Sequence, residues 1–136
     1  MYKATILSFL FISIFYNQSK AQEKPGYFMH PDLHENTMVF VAEGDIWTAS
    51  VSGGMATRLT THPGDESDPK ISPDGKWVAY AASYEGPTEV YVMPISGGLP
   101  KRLTYEPSAS IPVAWRSATE LAYTTNQYST LPRLRT

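Results

Sequence analysis

The 136-residue sequence contains no cysteine. That single absence excludes disulfides, thiolate metal sites, a cysteine nucleophile and a lipid-modified cysteine anchor. It also lacks a surplus of charge of either sign. Eleven Lys and Arg stand against thirteen Asp and Glu, a formal net charge of −2. A nucleic-acid-binding domain needs a basic stripe and a membrane-surface helix needs a basic face, and the sequence shows neither. Beyond the first residues, no window places apolar residues at i, i+3, i+4 and i+7 without an interrupting Gly or Pro, so helical folds are excluded too. What is present is ordinary for a globular domain. At 42% hydrophobic and 18% charged, the chain is too apolar for a disordered tail.

The one long apolar run, "ATILSFLFISIFY" (residues 4–16), lies behind Lys3. Its length is that of a signal-peptide core and is short for a bilayer span. Ser19-Lys20-Ala21 places small residues at positions −3 and −1 of a cleavage site. The expectation is a signal peptide at residues 1–21, cleaved before Gln22, and export to the periplasm or the medium. An uncleaved signal anchor is the alternative. Asn17-Gln18-Ser19 matches a glycosylation acceptor but falls inside the segment to be removed.

The remainder reads as short runs of β-formers between turn residues. "TMVFVA" (37–42), "DIWTAS" (45–50), "KWVAYAAS" (76–83), "TEVYVMP" (88–94) and "TELAYTT" (119–125) are rich in Val, Ile, Thr, Tyr, Phe and Trp. "PDG" at 73–75 and the pairs Gly53-Gly54 and Gly97-Gly98 supply turns. Strands so closely spaced, with no helix between them, form antiparallel meanders. The text then repeats itself: "SGGMATRLT" begins at Ser52 and "SGGLPKRLT" at Ser96, 44 positions later.

Laid out on that period, each unit has four strands. The first uses "YFMH" (27–30), "TMVFVA", "DIWTAS" and "ATRLT" (56–60). The second uses "PKIS" (69–72), "KWVAYAAS", "TEVYVMP" and "PKRLT" (100–104). A third opens with "IPVAW" (111–115) and "TELAYTT" and reaches "PRLRT" (132–136). Four strands in 40–45 residues is the mark of a propeller blade. The expected fold is therefore all-β: a partial β-propeller of about two and a half four-stranded antiparallel blades within residues 22–136. Blade 1 covers about 26–61, blade 2 about 69–105 and an incomplete blade 3 about 111–136. In this layout "SGG" turns the chain into the outermost strand, Leu59 and Leu103 face a neighbouring blade, and Arg58 and Arg102 point outward.

The residues from Phe40 to Pro107 resemble the first propeller of tricorn-type proteases of the exported bacterial branch. "SPDGKWVAY…EVYVMPISGG…RLT" is shared with many TolB-like propellers; "AEGDIW", "RLTTHPGDES" and "YEGPTEVYVMP" are more specific to tricorn homologues. The likeness runs from about Gly26 to Thr136 and thins after Pro107, where "WRSATELAY" replaces the family's Trp-x-Pro-Asp-Gly-Lys turn. The resemblance implies a large serine protease with two propellers, a PDZ-like module and a C-terminal catalytic region. It also implies that the propellers filter or channel peptides toward the active site. None of the family's catalytic motifs has a matching position, so no catalytic residue is carried over. Rival readings are a non-enzymatic periplasmic binding propeller of the TolB kind and the propeller of another hydrolase.

A propeller closes at about four to eight blades. The expected partners are thus the remaining blades and catalytic region of a longer chain, and peptides passing through the whole ring. Further copies of this chain completing a ring are the alternative. With open ends, Phe40, Trp47, Trp77 and Tyr91 are expected to be partly exposed. Otherwise Trp47, Tyr80, Tyr91 and Tyr123, at matching places in the repeat, are assigned to packing between blades.

Candidate chemistry is sparse. "HPGDESDP" (62–69) gathers Asp65, Glu66, Asp68 and His62, but its spacing matches no calcium or zinc motif, so a solvated connection between blades is expected. Ser67, His62 and Asp65 make a triad by composition only, without a nucleophile elbow. No cofactor and no metal are expected. Tyr27, Met29, Lys70 and Val113 fall on the innermost strands and are the candidate channel-lining residues. His30 and His34 flank the first of these strands.

Overall fold

The computed structural model describes residues 27–127. Within them the chain forms ten strands and no helix: β1 (Met29–His34), β2 (Thr37–Ala42), β3 (Asp45–Ser50), β4 (Thr57–Arg58), β5 (Glu66–Ile71), β6 (Trp77–Ala82), β7 (Glu89–Pro94), β8 (Lys101–Arg102), β9 (Ser110–Ser117) and β10 (Glu120–Thr125). They make two four-stranded antiparallel meanders, β1-β2-β3-β4 and β5-β6-β7-β8, and a two-stranded sheet of β9 and β10. The expected signal peptide and "PRLRT" lie outside the described residues.

Turn chemistry sets the registers. Glu43 and Gly44 both have positive φ, 54° and 85°, as a two-residue hairpin turn with right-handed twist demands. The β6 hairpin is entered through Pro73-Asp74-Gly75, where Asp74 Oδ1 accepts the Ser72 hydroxyl at 2.6 Å and the Lys76 N–H at 3.2 Å. The Ser72 bond in particular holds the Asp74 carboxyl below its ordinary pKa. The third hairpin closes without Pro or Gly, through Ala118 and Thr119.

The sheets stack face to face. β5 packs on β1, β2 and β3, and β9 packs on β5, β6 and β7. Consecutive sheets therefore meet through the innermost strand of the later one, as propeller blades do. Between the first two lies a core of Val39, Val41, Ile46, Ile71, Val78, Tyr80 and Met93. β6 is buried on both faces from Val78 to Ala82. Alternation sends Val78, Tyr80 and Ala82 to this core and the small Ala79 and Ala81 to the opposite face.

Several expectations are corrected. The innermost strands begin elsewhere: β1 starts at Met29, not Tyr27, and β5 starts at Glu66, not Pro69. Each carries a β-bulge, between Met29 and Asp32 and between Ser67 and Lys70. The bulge leaves Pro31 and Pro69 out of the ladder, where a missing N–H is tolerated, so the strand runs on through its proline. The outermost strands pair over only two residues each. Phe40 and Tyr91 are buried rather than partly exposed. Phe28 covers Phe40 edge-on at 4.9 Å, and Tyr84 covers Tyr91 at 4.6 Å. Trp77 is 40% exposed, as its place on the edge of an open sheet face predicts.

Candidate functional site

The most elaborate side-chain constellation sits where the first two blades meet, and the recurring "RLT" builds it. β3 opens with Asp45 and β7 with Glu89, both buried acids. Arg58 donates from Nη2 to Asp45 and from Nε to the Thr60 carbonyl at 3.0 Å. Arg102 repeats this with Glu89 at 2.7 Å and the Thr104 carbonyl at 2.8 Å. The Thr60 hydroxyl accepts the Ile46 N–H at 2.8 Å, and the Thr104 hydroxyl accepts the Val90 N–H at 2.9 Å. Arg and Thr thus clasp the start of the adjacent strand, and the arginines fold back onto buried carboxylates instead of pointing outward. The leucine between them divides by blade: Leu59 packs against the core, while Leu103 is exposed.

The two clasps differ in one bond. Glu89 is long enough to accept the Thr104 hydroxyl itself. Asp45 is shorter, and Thr60 donates instead to Glu66, the first residue of β5. Glu66 also accepts the Ile46 N–H at 3.0 Å and the Tyr84 hydroxyl. One carboxylate therefore ties β3 and the end of the first blade to the β6–β7 hairpin of the second. Burial raises its pKa and the Asp45 charge adds to this, against the hydrogen bonds from Thr60, Tyr84 and Ile46. The Tyr84 hydroxyl lies 3.2 Å from the Tyr80 hydroxyl, and the His62 ring lies against Tyr84, centroids 3.9 Å apart and tilted by 39°. Burial raises the pKa of both tyrosines.

The Asp-to-Arg and Glu-to-Arg spacing of thirteen residues was present in both repeats. It was the signal by which Asp45 and Glu89 could have been found. Nothing in the sequence marked Tyr84 as the partner of Glu66.

The candidate channel residues are scattered along the inner edge. Tyr27 precedes β1 and is exposed; Met29 is half-buried against the core. Lys70 is half-buried on β5, and its carbonyl accepts the Trp115 indole N–H at 2.9 Å. Val113 is exposed on β9. His30 accepts the Asp68 N–H at Nδ1, 3.1 Å away, and His34 lies beneath the Gly75 turn.

The composition-only triad is not assembled. His62 Nδ1 accepts the Gly64 N–H at 3.0 Å, and Ser67 pairs with Ala81 in the ladder. Among the described residues, no three His, Cys, Asp or Glu side chains converge to hold a metal ion.

Meandering four-stranded sheets, stacked through their innermost strands, define the class: a β-propeller. The family follows from the comparison of residues 25–135, which match the tricorn protease N-terminal β-propeller domain, and the chain belongs to that family. It is similar to tricorn protease homolog 1 of Streptomyces coelicolor, 41% identical over 81 residues, covering 60% of this chain and 8% of the relative. It is also similar to a candidate tricorn-like protease N-terminal subunit of Sulfurisphaera tokodaii, 29% identical over 88% of this chain and 63% of that one. The chain thus spans a small part of the first relative and under two thirds of the second. Among solved structures, the tricorn protease matches with a TM-score of 0.54 at 24% identity, over 60% of this chain and 8% of that one. TolB from Acinetobacter baumannii matches at 0.62 and 21% identity, over 76% and 28%. These two likenesses concern the fold alone.

Proposed function

We propose that this chain is the exported N-terminal propeller portion of a tricorn-type serine peptidase. In this reading the propeller admits and guides peptides toward a catalytic region elsewhere in the same protein. The observation that carries it is the family match over residues 25–135, joined to 41% identity with a much longer tricorn homologue. Residues 1–21 serve as the signal peptide. Tyr27, Lys70 and Val113, on or beside the innermost strands, line the passage, and Met29 has a packing role. The remaining blades complete the ring, within one chain or between copies.

The TolB fold likeness favours a second reading, a periplasmic binding propeller without peptidase activity. One preparation separates the two. The whole protein that carries this segment is purified from the cell envelope, its N-terminus is sequenced, and its hydrolysis of unstructured peptides is assayed. A mature N-terminus at Gln22 with serine-peptidase activity is expected. A protein without peptidase activity overturns the first reading in favour of the second.

A further inference from the structure

Where the innermost strands of the first two blades meet, β1 offers two side-chain acceptors to two backbone donors of β5. Asp32 Oδ2 accepts the Ile71 N–H at 2.7 Å, and His30 Nδ1 accepts the Asp68 N–H at 3.1 Å. His30 and Asp68 both lie in the bulges, where the ladder of each blade is interrupted. The two ties differ in kind. An ionised carboxylate only accepts hydrogen bonds, whereas an imidazole nitrogen accepts when bare and donates when protonated. Asp68 supplies the alternative partner itself, because its Oδ1 lies 3.2 Å from the same His30 Nδ1.

One nitrogen thus stands at hydrogen-bonding distance from a donor and from an acceptor of a single residue, and it cannot serve both. Bare Nδ1 takes the Asp68 N–H and offers the carboxylate nothing. Protonated Nδ1 donates to the carboxylate and leaves the N–H without its acceptor. The surroundings leave the choice to this pair. β1 packs on β2 and β5. β2 carries no titratable side chain, and β5 carries Glu66, Asp68 and Lys70. Glu66 is engaged by the Ile46 N–H, Thr60 and Tyr84, and the Lys70 ammonium is a donor that competes for neither role of Nδ1. On β1 itself Asp32 is held by Ile71 and His34 lies beneath the Gly75 turn, while Glu35 stands in the β1–β2 turn. The side chains of His30 and Asp68 are 45% and 32% exposed, so protons reach them from solvent.

The repeat shows that a blade junction does not require such a pair. The step before proline recurs as His30-Pro31, Asp68-Pro69 and Ile111-Pro112. His30 and Asp68 hold φ at 50° and 51°, and Ile111 has no positive φ. Isoleucine neither accepts a hydrogen bond through its side chain nor ionises. The second and third innermost strands are tied instead by the Trp115 indole N–H on the Lys70 carbonyl, at 2.9 Å. The geometry points to a proton-operated junction between the first two innermost strands, made by His30 and Asp68. Gaining a proton exchanges a backbone tie for an ion pair and removes one negative charge from that border. The Asp32 tie to Ile71 holds the strands together in both states. The junction is read from strand packing alone, so it stands or falls independently of the proposed passage.

The isotope-labelled full chain is titrated from about pH 8 to about pH 5, the range in which histidines ordinarily change charge. NMR follows the His30 ring nitrogens, the Asp68 carboxyl carbon, and the amides of Asp68 and Ile71. At the upper end the proton of neutral His30 is expected on Nε2, leaving Nδ1 bare. On acidification the ring, the carboxyl and the Asp68 amide are expected to move with one midpoint. The protection of the Asp68 amide from solvent exchange, corrected for the intrinsic pH dependence, should fall about fivefold, the worth of one neutral hydrogen bond. The Ile71 amide should keep its protection throughout. His30→Asn retains an acceptor and tolerates positive φ but takes up no proton, so in it the Asp68 amide is expected to stay in place across the range. Should that variant fail to fold, the wild-type titration still decides. A neutral His30 with its proton on Nδ1, an Asp68 amide that does not follow the His30 ring, or an equal pH response in His30→Asn would each overturn the junction.

Discussion

Thr60 and Thr104 hold equivalent places in the repeat, yet their loss has unequal consequences. The Val90 N–H has Thr104 as its acceptor, whereas the Ile46 N–H is shared between Thr60 and Glu66 Oε2. Thr104→Val strands a buried donor and is expected to cost about 1–3 kcal/mol of stability. Thr60→Val leaves Ile46 its second acceptor and should cost distinctly less. Chemical denaturation of both variants checks the order, and equal losses would contradict it. Glu66 gives a pH prediction. Its folded-state pKa lies above the ordinary 4.5 because of burial first, with the Asp45 charge adding. A raised acid contributes stability that is present below the unfolded-state value and is lost as the pH climbs through the folded-state value. Glu66→Gln removes that titration while its amide oxygen still accepts from Ile46 and Thr60. Measured from about pH 4 to about pH 8, the wild type should lose stability relative to the variant as pH rises. A difference that stays constant with pH would show that Glu66 does not carry the effect.

Between elements, two glycines hold the first blades together by close approach. A Cβ on Gly64 would meet the Ser83 carbonyl oxygen at 2.6 Å, and one on Gly75 would meet His34 Cδ2 at 2.9 Å, with φ at +68°. Both Gly→Ala changes are expected to lower the melting temperature, by a loss of about 1–3 kcal/mol each. They differ in rescue. His34→Ala should recover part of the Gly75→Ala loss, because the obstacle is a side chain. Ser83→Ala should recover none of the Gly64→Ala loss, because the obstacle is main chain. The strand order was legible in the sequence from β-branched runs and turn pairs, and β3 and β7 fall where "DIWTAS" and "TEVYVMP" put them. The end of β1 and the start of β5 were not. Proline reads as a strand boundary, and only tertiary packing reveals that a bulge carries the strand past it. His30 and Asp68 adopt φ near +50° there, a left-handed conformation uncommon outside glycine that His and Asp tolerate better than most residues. The clasp was half legible. The arginines and threonines recur visibly, but their buried carboxylate partners lie thirteen residues upstream, across a hairpin.

For the whole molecule, the repeat period, the stacked sheets and the family match agree on one architecture, and the chain is a piece of tricorn-type propeller. In the proposed reading, the innermost strands border the passage along the propeller axis. The proposed role in guiding peptides therefore makes a specific demand on Lys70 and Val113. The most direct measurement is the peptide-length dependence of hydrolysis by the whole protein, with the wild type set against a Lys70→Glu, Val113→Trp double variant. A passage lined by these residues predicts slower turnover of long peptides, with turnover of dipeptide-sized reporters unchanged. Equal turnover of long and short substrates by the two proteins would contradict it.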